Sequence, residues 1–189
     1  MAHFFGFGSL VNTATHQYSE VHPARVNGFA RAWINNDCYE HAFLSVIREP
    51  QTNIQGLLAR VWNDDWHELD KREVGYARQS LAPEAWSLEN ELTQGQLDNF
   101  IDVQLYQHAY GDFAQSDKPI LWSYLETVLF GYYQVFGVTG VHSFIDSTRH
   151  WTIILDDRSN ALYPRYVPAT GEANSIVLSA IEKLALKKT

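Results

Sequence analysis

Near the N-terminus, Phe4 and Phe5 lead directly into a glycine-rich segment, residues 6–10. An apolar run closed by paired glycines predicts a buried strand that ends in a tight turn. Glycine permits positive φ and lets another group approach the backbone closely. The N–H groups that follow such a turn can form a concave anion site without a charged side chain. We call this segment the glycine loop, and it consists of Gly6, Phe7, Gly8, Ser9 and Leu10.

The glycine loop alone leaves two interpretations open. It can hold a carboxylate or phosphate, or it can be a strand-to-turn junction that binds nothing. Three better-known glycine motifs are excluded by its residues. It lacks the third glycine of a dinucleotide fingerprint, the Lys-Ser/Thr pair of a P-loop and the GxSxG order of a nucleophile elbow.

Composition limits the class of protein. A chain of 189 residues, 46% of them hydrophobic, predicts one well-packed domain over residues 1–189. A formal net charge of -8 without a basic stripe disfavours nucleic-acid and anionic-membrane binding. Because no run reaches transmembrane length and no signal-peptide pattern opens the chain, we expect a soluble cytoplasmic protein.

Metal and cysteine chemistry have little support in the sequence. The single cysteine, Cys38, excludes an intramolecular disulfide and a multi-cysteine metal site. The eight histidines are scattered and form no HxH or HExxH pattern, so we expect no bound metal. Cys38 has no base within a recognisable motif and is interpreted as an incidental thiol.

Hydrophobic periodicity predicts a mixed α/β (α+β) fold, with a small barrel-like sheet and flanking helices. The N-terminal third is extended in character, with a β-bulge at Gly28 and a turn over residues 49–53. Strands are predicted over residues 24–34, 42–47, 54–62, 76–81 and 101–106, and loops over 83–90 and 111–119. Helices are predicted over residues 66–73, 120–136, 144–155 and 175–186.

Glu73 stands out in the first predicted helix. Trp66, Leu69 and Glu73 share one face, so Glu73 occupies a core-facing position in the last turn. Burial and the negative end of the helix dipole both disfavour its ionised form, which predicts a raised pKa. Such a glutamate either pairs with an arginine or acts as an acid/base. The candidate partners are Arg60, Arg72 and Arg78.

Two blocks of the sequence resemble a known family. The first resembles the FGYGSL signature of the γ-glutamylcyclotransferases, nearest to the ChaC-like branch that degrades glutathione, and reads Phe4-Phe5-Gly6-Phe7-Gly8-Ser9-Leu10. Residues 56–61 and the later Leu69-Asp70-Lys71-Arg72-Glu73-Val74-Gly75-Tyr76 are similar to the family's strand followed by LD-x-R-E-x-G-Y. The resemblance covers about the first 80 positions.

The resemblance implies that the glycine loop binds the γ-glutamyl group and that Glu73 is the catalytic acid/base. The substrate's own α-amine would close 5-oxoproline and expel the remaining amine, with no metal or organic cofactor. Phe7 stands where the branch usually has Tyr, and the segment after Glu73 is shorter by one glycine. The substrate is therefore left open among glutathione, another γ-glutamyl peptide and a γ-glutamyl amine. The alternative is a catalytically silent module that binds a small molecule or a protein partner.

Overall fold

A computed structural model describes residues 1–35, 39–90, 100–108 and 118–186, so Cys38 and most of the predicted loop 111–119 lie outside the described residues. In these residues seven strands form one mixed sheet, and six of them follow the order β4 (Tyr76–Ser80), β6 (Asp102–His108), β1 (Ala2–Gly6), β3 (Phe43–Arg60), β2 (His22–Ile34) and β5 (Trp86–Leu88). The seventh, β8 (Thr148–Arg149), pairs separately with β2.

The first strand lies in the middle of this sheet. Parallel β6 flanks β1 on one side and antiparallel β3 on the other, and all five of its residues are buried. A strand covered on both faces is apolar throughout, which explains the Phe4-Phe5 run. The mixed α+β architecture with flanking helices is confirmed. The sheet is not closed into a barrel, because its path ends at β4 on one side and β5 on the other.

The two predicted strands 42–47 and 54–62 form one long strand, β3. The pairing of β3 with β2 shifts register at one point: Asn27 lies opposite Asn53, but Phe29 lies opposite Arg48. The predicted turn over 49–53 is therefore wrong, and those residues form an irregularity within a continuous hairpin. The predicted bulge at Gly28 is confirmed, with φ +80° at that residue. Long-range pairing with β2 on both sides of the bulge keeps β3 continuous.

Within the described ranges, three α-helices flank the sheet. They are α1 (His67–Arg72), α2 (Trp122–Asp146) and α3 (Gly171–Leu186), and a further pair of short strands is formed by β7 (Ile120–Leu121) and β9 (Ile154–Leu155). Leu125, Val128 and Leu129 of α2 are buried in the main core, and Val177 and Ile181 of α3 are buried with them. None of the helices described here is long and apolar enough to cross a membrane.

The predicted helix 144–155 is wrong. Helix α2 breaks at Gly137, as its glycine predicts, but resumes and continues to Asp146. The Ser147 hydroxyl donates to the Ser143 carbonyl (2.5 Å) and the Thr148 hydroxyl to the Phe144 carbonyl (2.6 Å). These bonds satisfy the last carbonyls of α2 and compete with further helix. The predicted loop 83–90 likewise contains β5, which pairs with β2.

Candidate functional site

The glycine loop leaves β1 and enters a single 3-10 turn over Ser9–Val11. Neither Gly6 nor Gly8 has positive φ, so that expectation is wrong for the loop glycines. Glycine is needed at both positions because other side chains come too close to the backbone to leave room for a Cβ. A Cβ on Gly6 would lie 2.7 Å from Leu10 Cβ, and one on Gly8 would lie 2.8 Å from the Tyr124 hydroxyl oxygen.

A fully buried arginine supports the loop from the core. Arg31 Nε donates to the Phe7 carbonyl at 2.9 Å, and one Nη donates to Ser147 Oγ at 2.6 Å. Its remaining Nη bonds the Gln55 carbonyl and the Tyr132 hydroxyl. None of these partners is a carboxylate, so the charge of Arg31 is solvated by oriented dipoles. These hydrogen bonds hold the Phe7 backbone in place from the core side of the loop.

The end of helix α1 presents Glu73. Its backbone N–H closes the last helical turn on the Leu69 carbonyl (2.9 Å), and its carbonyl accepts from Tyr76 N (3.0 Å). Gly75, with φ +90°, lets the chain reverse between these points and enter β4. The Glu73 side chain is left only 19% exposed, which agrees with the core-facing position predicted from the helix pattern.

Arg72 connects Glu73 to the glycine loop. Its Nε lies 3.3 Å from Glu73 Oε1. Its two Nη atoms reach the Thr15 carbonyl at 3.0 Å and Ser9 Oγ at 3.4 Å. Of the three candidate arginine partners, Arg72 pairs with Glu73, whereas Arg60 pairs with Glu20 and Arg78 with Asp70.

A cavity of about 390 Å³ opens at this junction, and Glu73 and Ser9 both line it. Gly6, Phe7, Gly8 and Leu10 are not among its lining residues. The Phe7 ring packs in the main core, and Leu10 packs in a second apolar cluster. The other polar or charged walls include Arg72, Tyr76, Tyr124, Tyr163 and Arg165.

Burial raises the pKa of the Glu73 carboxyl above its ordinary value, although Arg72 and Arg165 pull that pKa downward. The predicted direction of the shift is confirmed, and its largest cause is loss of solvation. A carboxyl group with a raised pKa can both accept and return a proton near neutral pH. Within the described part of the chain, no three metal-ligating side chains cluster.

Three tyrosines that the sequence did not assign to the site form much of its wall. The Tyr76 hydroxyl donates to the Leu44 carbonyl at 2.8 Å. The Tyr124 hydroxyl oxygen accepts a hydrogen bond from the Ser9 backbone N–H, and burial raises the pKa of this hydroxyl, which therefore stays neutral. Tyr163 meets Tyr124 edge-on, with ring centroids 5.0 Å apart. Tyr76 belongs to the second motif, whereas Tyr124 lies within the helix predicted over residues 120–136 and had no motif to mark it.

The fold is similar to several solved structures at low sequence identity. A γ-glutamyl cyclotransferase superposes with a TM-score of 0.54 at 12% identity, over 94% of this chain and 98% of that one. An uncharacterized human protein matches with a TM-score of 0.54 at 13% identity, over 93% of this chain and 97% of that one. YkqA from Bacillus subtilis matches with a TM-score of 0.58 at 11% identity, over 77% and 53%.

No protein-family model matches the sequence, and a comparison with curated proteins finds no match. The likeness is therefore carried by the three-dimensional structure, over nearly the whole length of this chain and of the solved enzyme. This chain has the fold of a γ-glutamyl cyclotransferase.

Proposed function

We propose that this protein is a γ-glutamylcyclotransferase-like lyase. It would cyclise the γ-glutamyl group of a γ-glutamyl peptide or amine to 5-oxoproline and release the amine. The observation that carries the proposal is Glu73, a carboxyl group with a raised pKa in the same cavity as Ser9 of the glycine loop. The fold of a γ-glutamyl cyclotransferase supports it, and the motif resemblance to the ChaC-like branch keeps glutathione among the substrates.

In the proposed reaction, one group first accepts a proton and later donates it. Ionised Glu73 accepts a proton from the substrate's α-ammonium, which frees the amine lone pair to attack the γ-carbonyl carbon. A nitrogen–carbon bond forms and closes the five-membered ring, and the bond from the γ-carbon to the leaving nitrogen breaks. Glu73 then returns the proton to that nitrogen, and the ring nitrogen gives up its second proton by way of the same carboxylate, so that the product is the neutral lactam and the amine leaves as an ammonium. Burial raises the pKa of Glu73 above its ordinary value, and this direction favours the return of the proton in the second step.

The glycine loop would hold the α-carboxylate of the γ-glutamyl group. Backbone N–H groups at the loop can bind an anion and pin the chain that must cyclise, which is a proximity effect. The Ser9 backbone bonds the Tyr124 hydroxyl, so a bound carboxylate would share or replace this contact. Because the Phe7 ring is buried in the core, the tyrosine hydroxyl that meets the loop on the cavity side is that of Tyr124.

Substitution of Glu73 by Gln tests the proposal, since it keeps the shape and removes the base. We expect Glu73→Gln to lower the rate of 5-oxoproline release from γ-glutamyl dipeptides, glutathione and γ-glutamyl amines by about 10²- to 10⁴-fold. Substrate should still raise the Tm of this variant. Glu68→Gln, on the exposed face of the same helix, is the matched control and should retain full activity.

Two results would contradict this scheme. Unchanged turnover in Glu73→Gln would exclude Glu73 as the acid/base. If wild type and Glu73→Gln are both inactive on the whole panel while a γ-glutamyl ligand still raises Tm, the protein is a binding module on the same fold. The acidic composition and the single cysteine support a cytoplasmic location for the protein, whether it is an enzyme or a binding module.

A further inference from the structure

The two parts of the proposed reaction belong to different elements of the fold. Glu73 follows helix α1, Ser9 begins the 3-10 turn after β1, and both residues line the cavity. A base that acts on a bound substrate must keep a fixed distance from the site that binds it, and a displacement of about 1 Å can lower the rate by about 10²-fold. A contact that joins the two elements is therefore needed.

The loop side of this junction is anchored to helix α2. Asn12 is fully buried, and its Nδ2 donates to the Thr127 carbonyl at 2.9 Å. Its backbone lies so near Gly131 that a Cβ there would be 2.6 Å from Asn12 N. The Thr15 hydroxyl donates to the Ser9 and Asn12 carbonyls, both at 2.9 Å. Residues 9–15 are thereby held in place on α2.

Helix α1 is too short to fix the base by itself. It has six residues, and Leu69 is its one buried side chain. A helix of this length is not stable alone and depends on tertiary contacts for its position. Glu73 lies beyond its last helical residue, so a contact close to Glu73 has the largest influence on where the carboxylate lies.

Arg72 makes that contact and reaches the loop side with the same guanidinium. Its Nε forms an ion pair with Glu73 Oε1 at 3.3 Å. One Nη donates to the Thr15 carbonyl at 3.0 Å, and the other lies 3.2 Å from Thr15 Oγ1 and 3.4 Å from Ser9 Oγ. Because the guanidinium is rigid and planar, its acceptors hold one another in register. The single nitrogen of a lysine cannot span Glu73 and Thr15 in this way.

We propose that Arg72 is a positioning residue of the reaction. Its guanidinium holds the Glu73 carboxylate at a set distance from the loop that binds the substrate, and its forked shape is required in addition to its charge. Arg72 itself moves no proton, because a guanidinium stays protonated. The inference rests on the proposed function and adds the group that connects the base to the anion site.

Arg72→Lys separates the shape of the side chain from its charge. The variant keeps a positive charge beside Glu73 but loses the fork. We expect kcat for 5-oxoproline release to fall by about 10²-fold while KM changes by less than about threefold, since the loop still binds substrate but the base is displaced. Recovery of wild-type kcat by Arg72→Lys, where Arg72→Gln loses it, would show that charge alone matters and would overturn the inference.

Arg78→Lys is the matched control. Arg78 Nε pairs with Asp70 of the same helix at 3.0 Å, but Arg78 does not line the cavity. This variant alters a guanidinium contact of α1 without touching the glycine loop, so it should keep the wild-type kcat. An equal fall of kcat in Arg78→Lys and Arg72→Lys would mean that any weakening of α1 has this effect, which would also overturn the inference.

Thr15→Val tests the other end of the connection. It removes the hydroxyl that faces Arg72 and leaves the arginine intact, at a partly exposed position. We expect a smaller fall in kcat than in Arg72→Lys, because the Thr15 carbonyl still accepts from Arg72. In Arg72→Lys/Thr15→Val the two falls should not multiply, since both substitutions break one connection. Falls that multiply, or an unchanged kcat in Thr15→Val, would contradict the connection, and this variant decides the matter even if Arg72→Lys does not fold.

Wild-type turnover separates failure of this inference from failure of the proposed function. If wild type and Arg72→Lys release 5-oxoproline equally fast, the positioning role is wrong and the proposed function stands. If wild type releases none from glutathione, γ-glutamyl dipeptides or γ-glutamyl amines, there is no base to position and both are overturned.

Discussion

At the scale of the residue, Glu73 combines two opposing influences. Burial disfavours its carboxylate, while Arg72 and Arg165 favour it. The net result is a raised pKa, so the folded protein holds this proton more tightly than the unfolded chain does. The interpretations offered by the sequence, an arginine partner and an acid/base, therefore do not exclude each other. Arg72 provides the partner, and burial provides the raised pKa.

The raised pKa of Glu73 also predicts a pH-dependent stability. Between the ordinary glutamate pKa and the raised one, the folded state binds more protons than the unfolded state, so stability falls as pH rises through this window. Glu73→Gln has no such loss. We expect its Tm to exceed that of wild type at pH 8 and the difference to shrink toward pH 4, as measured by calorimetry. A constant difference at every pH would contradict burial as the cause.

Arg165 should also tune the pH profile of turnover. The Arg165 charge lowers the pKa of Glu73, and the proposed mechanism requires Glu73 ionised at the start. Removing that charge in Arg165→Gln should raise the pKa and move the acidic limb of the kcat/KM profile to higher pH. Because Arg165 is exposed, the shift should be largest at low ionic strength. An acidic limb that does not move would exclude this electrostatic coupling.

At the scale of the element, the glycine loop is shaped by close packing between strands. Gly56 of β3 lies beneath the end of β1. A Cβ there would overlap the Gly6 carbonyl oxygen and lie 2.6 Å from Phe5 Cζ. A side chain at this position must push β1 away from β3 and displace the start of the loop. This steric restriction explains a glycine in the second motif block that the periodicity of a strand does not require.

Gly56→Ala should therefore affect both stability and activity. We expect a loss of about 1–3 kcal/mol in the free energy of unfolding, as for overpacking, and a fall in kcat/KM because the loop moves. Gly28→Ala provides the comparison. Its φ of +80° predicts a strain of about 1–2 kcal/mol, but a Cβ there meets open space. Urea denaturation and turnover measure both variants, and full activity in Gly56→Ala would contradict the close-approach account.

At the scale of the whole molecule, helix α2 positions the segment that carries Tyr163 and Arg165. Buried Asp157 accepts from Ser123 N (2.8 Å), Ser123 Oγ (2.6 Å) and Leu162 N (2.8 Å), so it caps the start of α2. Buried Glu126 accepts from Ala169 N (2.9 Å) and the Tyr166 hydroxyl (2.8 Å). The two carboxylates hold both ends of residues 157–169 against the helix.

Glu126→Gln should loosen this segment. The amide nitrogen of Gln would face an N–H or O–H donor, which leaves a buried polar group unsatisfied and costs about 2–3 kcal/mol. We expect a lower Tm and a lower kcat/KM for 5-oxoproline release, because the segment forms part of the cavity wall. Glu182→Gln on the exposed side of α3 is the control and should change stability by less than about 0.5 kcal/mol. An unchanged Tm and kcat/KM in Glu126→Gln would show that the segment is positioned by other contacts.

The local pattern of the sequence was sufficient to predict the glycine turn and the inward-facing glutamate of the site. The Phe4-Phe5 run and the glycines predicted a buried strand and a turn, and the spacing of Trp66, Leu69 and Glu73 placed a glutamate toward the core. These features depend on short-range periodicity, because neighbouring positions of a strand or helix share a burial environment. The mixed α+β class followed from the same patterns.

The tertiary structure decided the rest. Arg31 reaches Phe7 across 24 positions, and Tyr163 and Arg165 come to Glu73 from about 90 positions away. The continuity of β3 and the length of α2 were likewise set by partners distant in sequence. No local periodicity encodes such contacts, since they depend on how the sheet orders its strands and where α2 crosses it. The sequence alone therefore determined an inward-facing carboxyl group and a glycine turn, whereas folding determined that they share one cavity and which cations surround them.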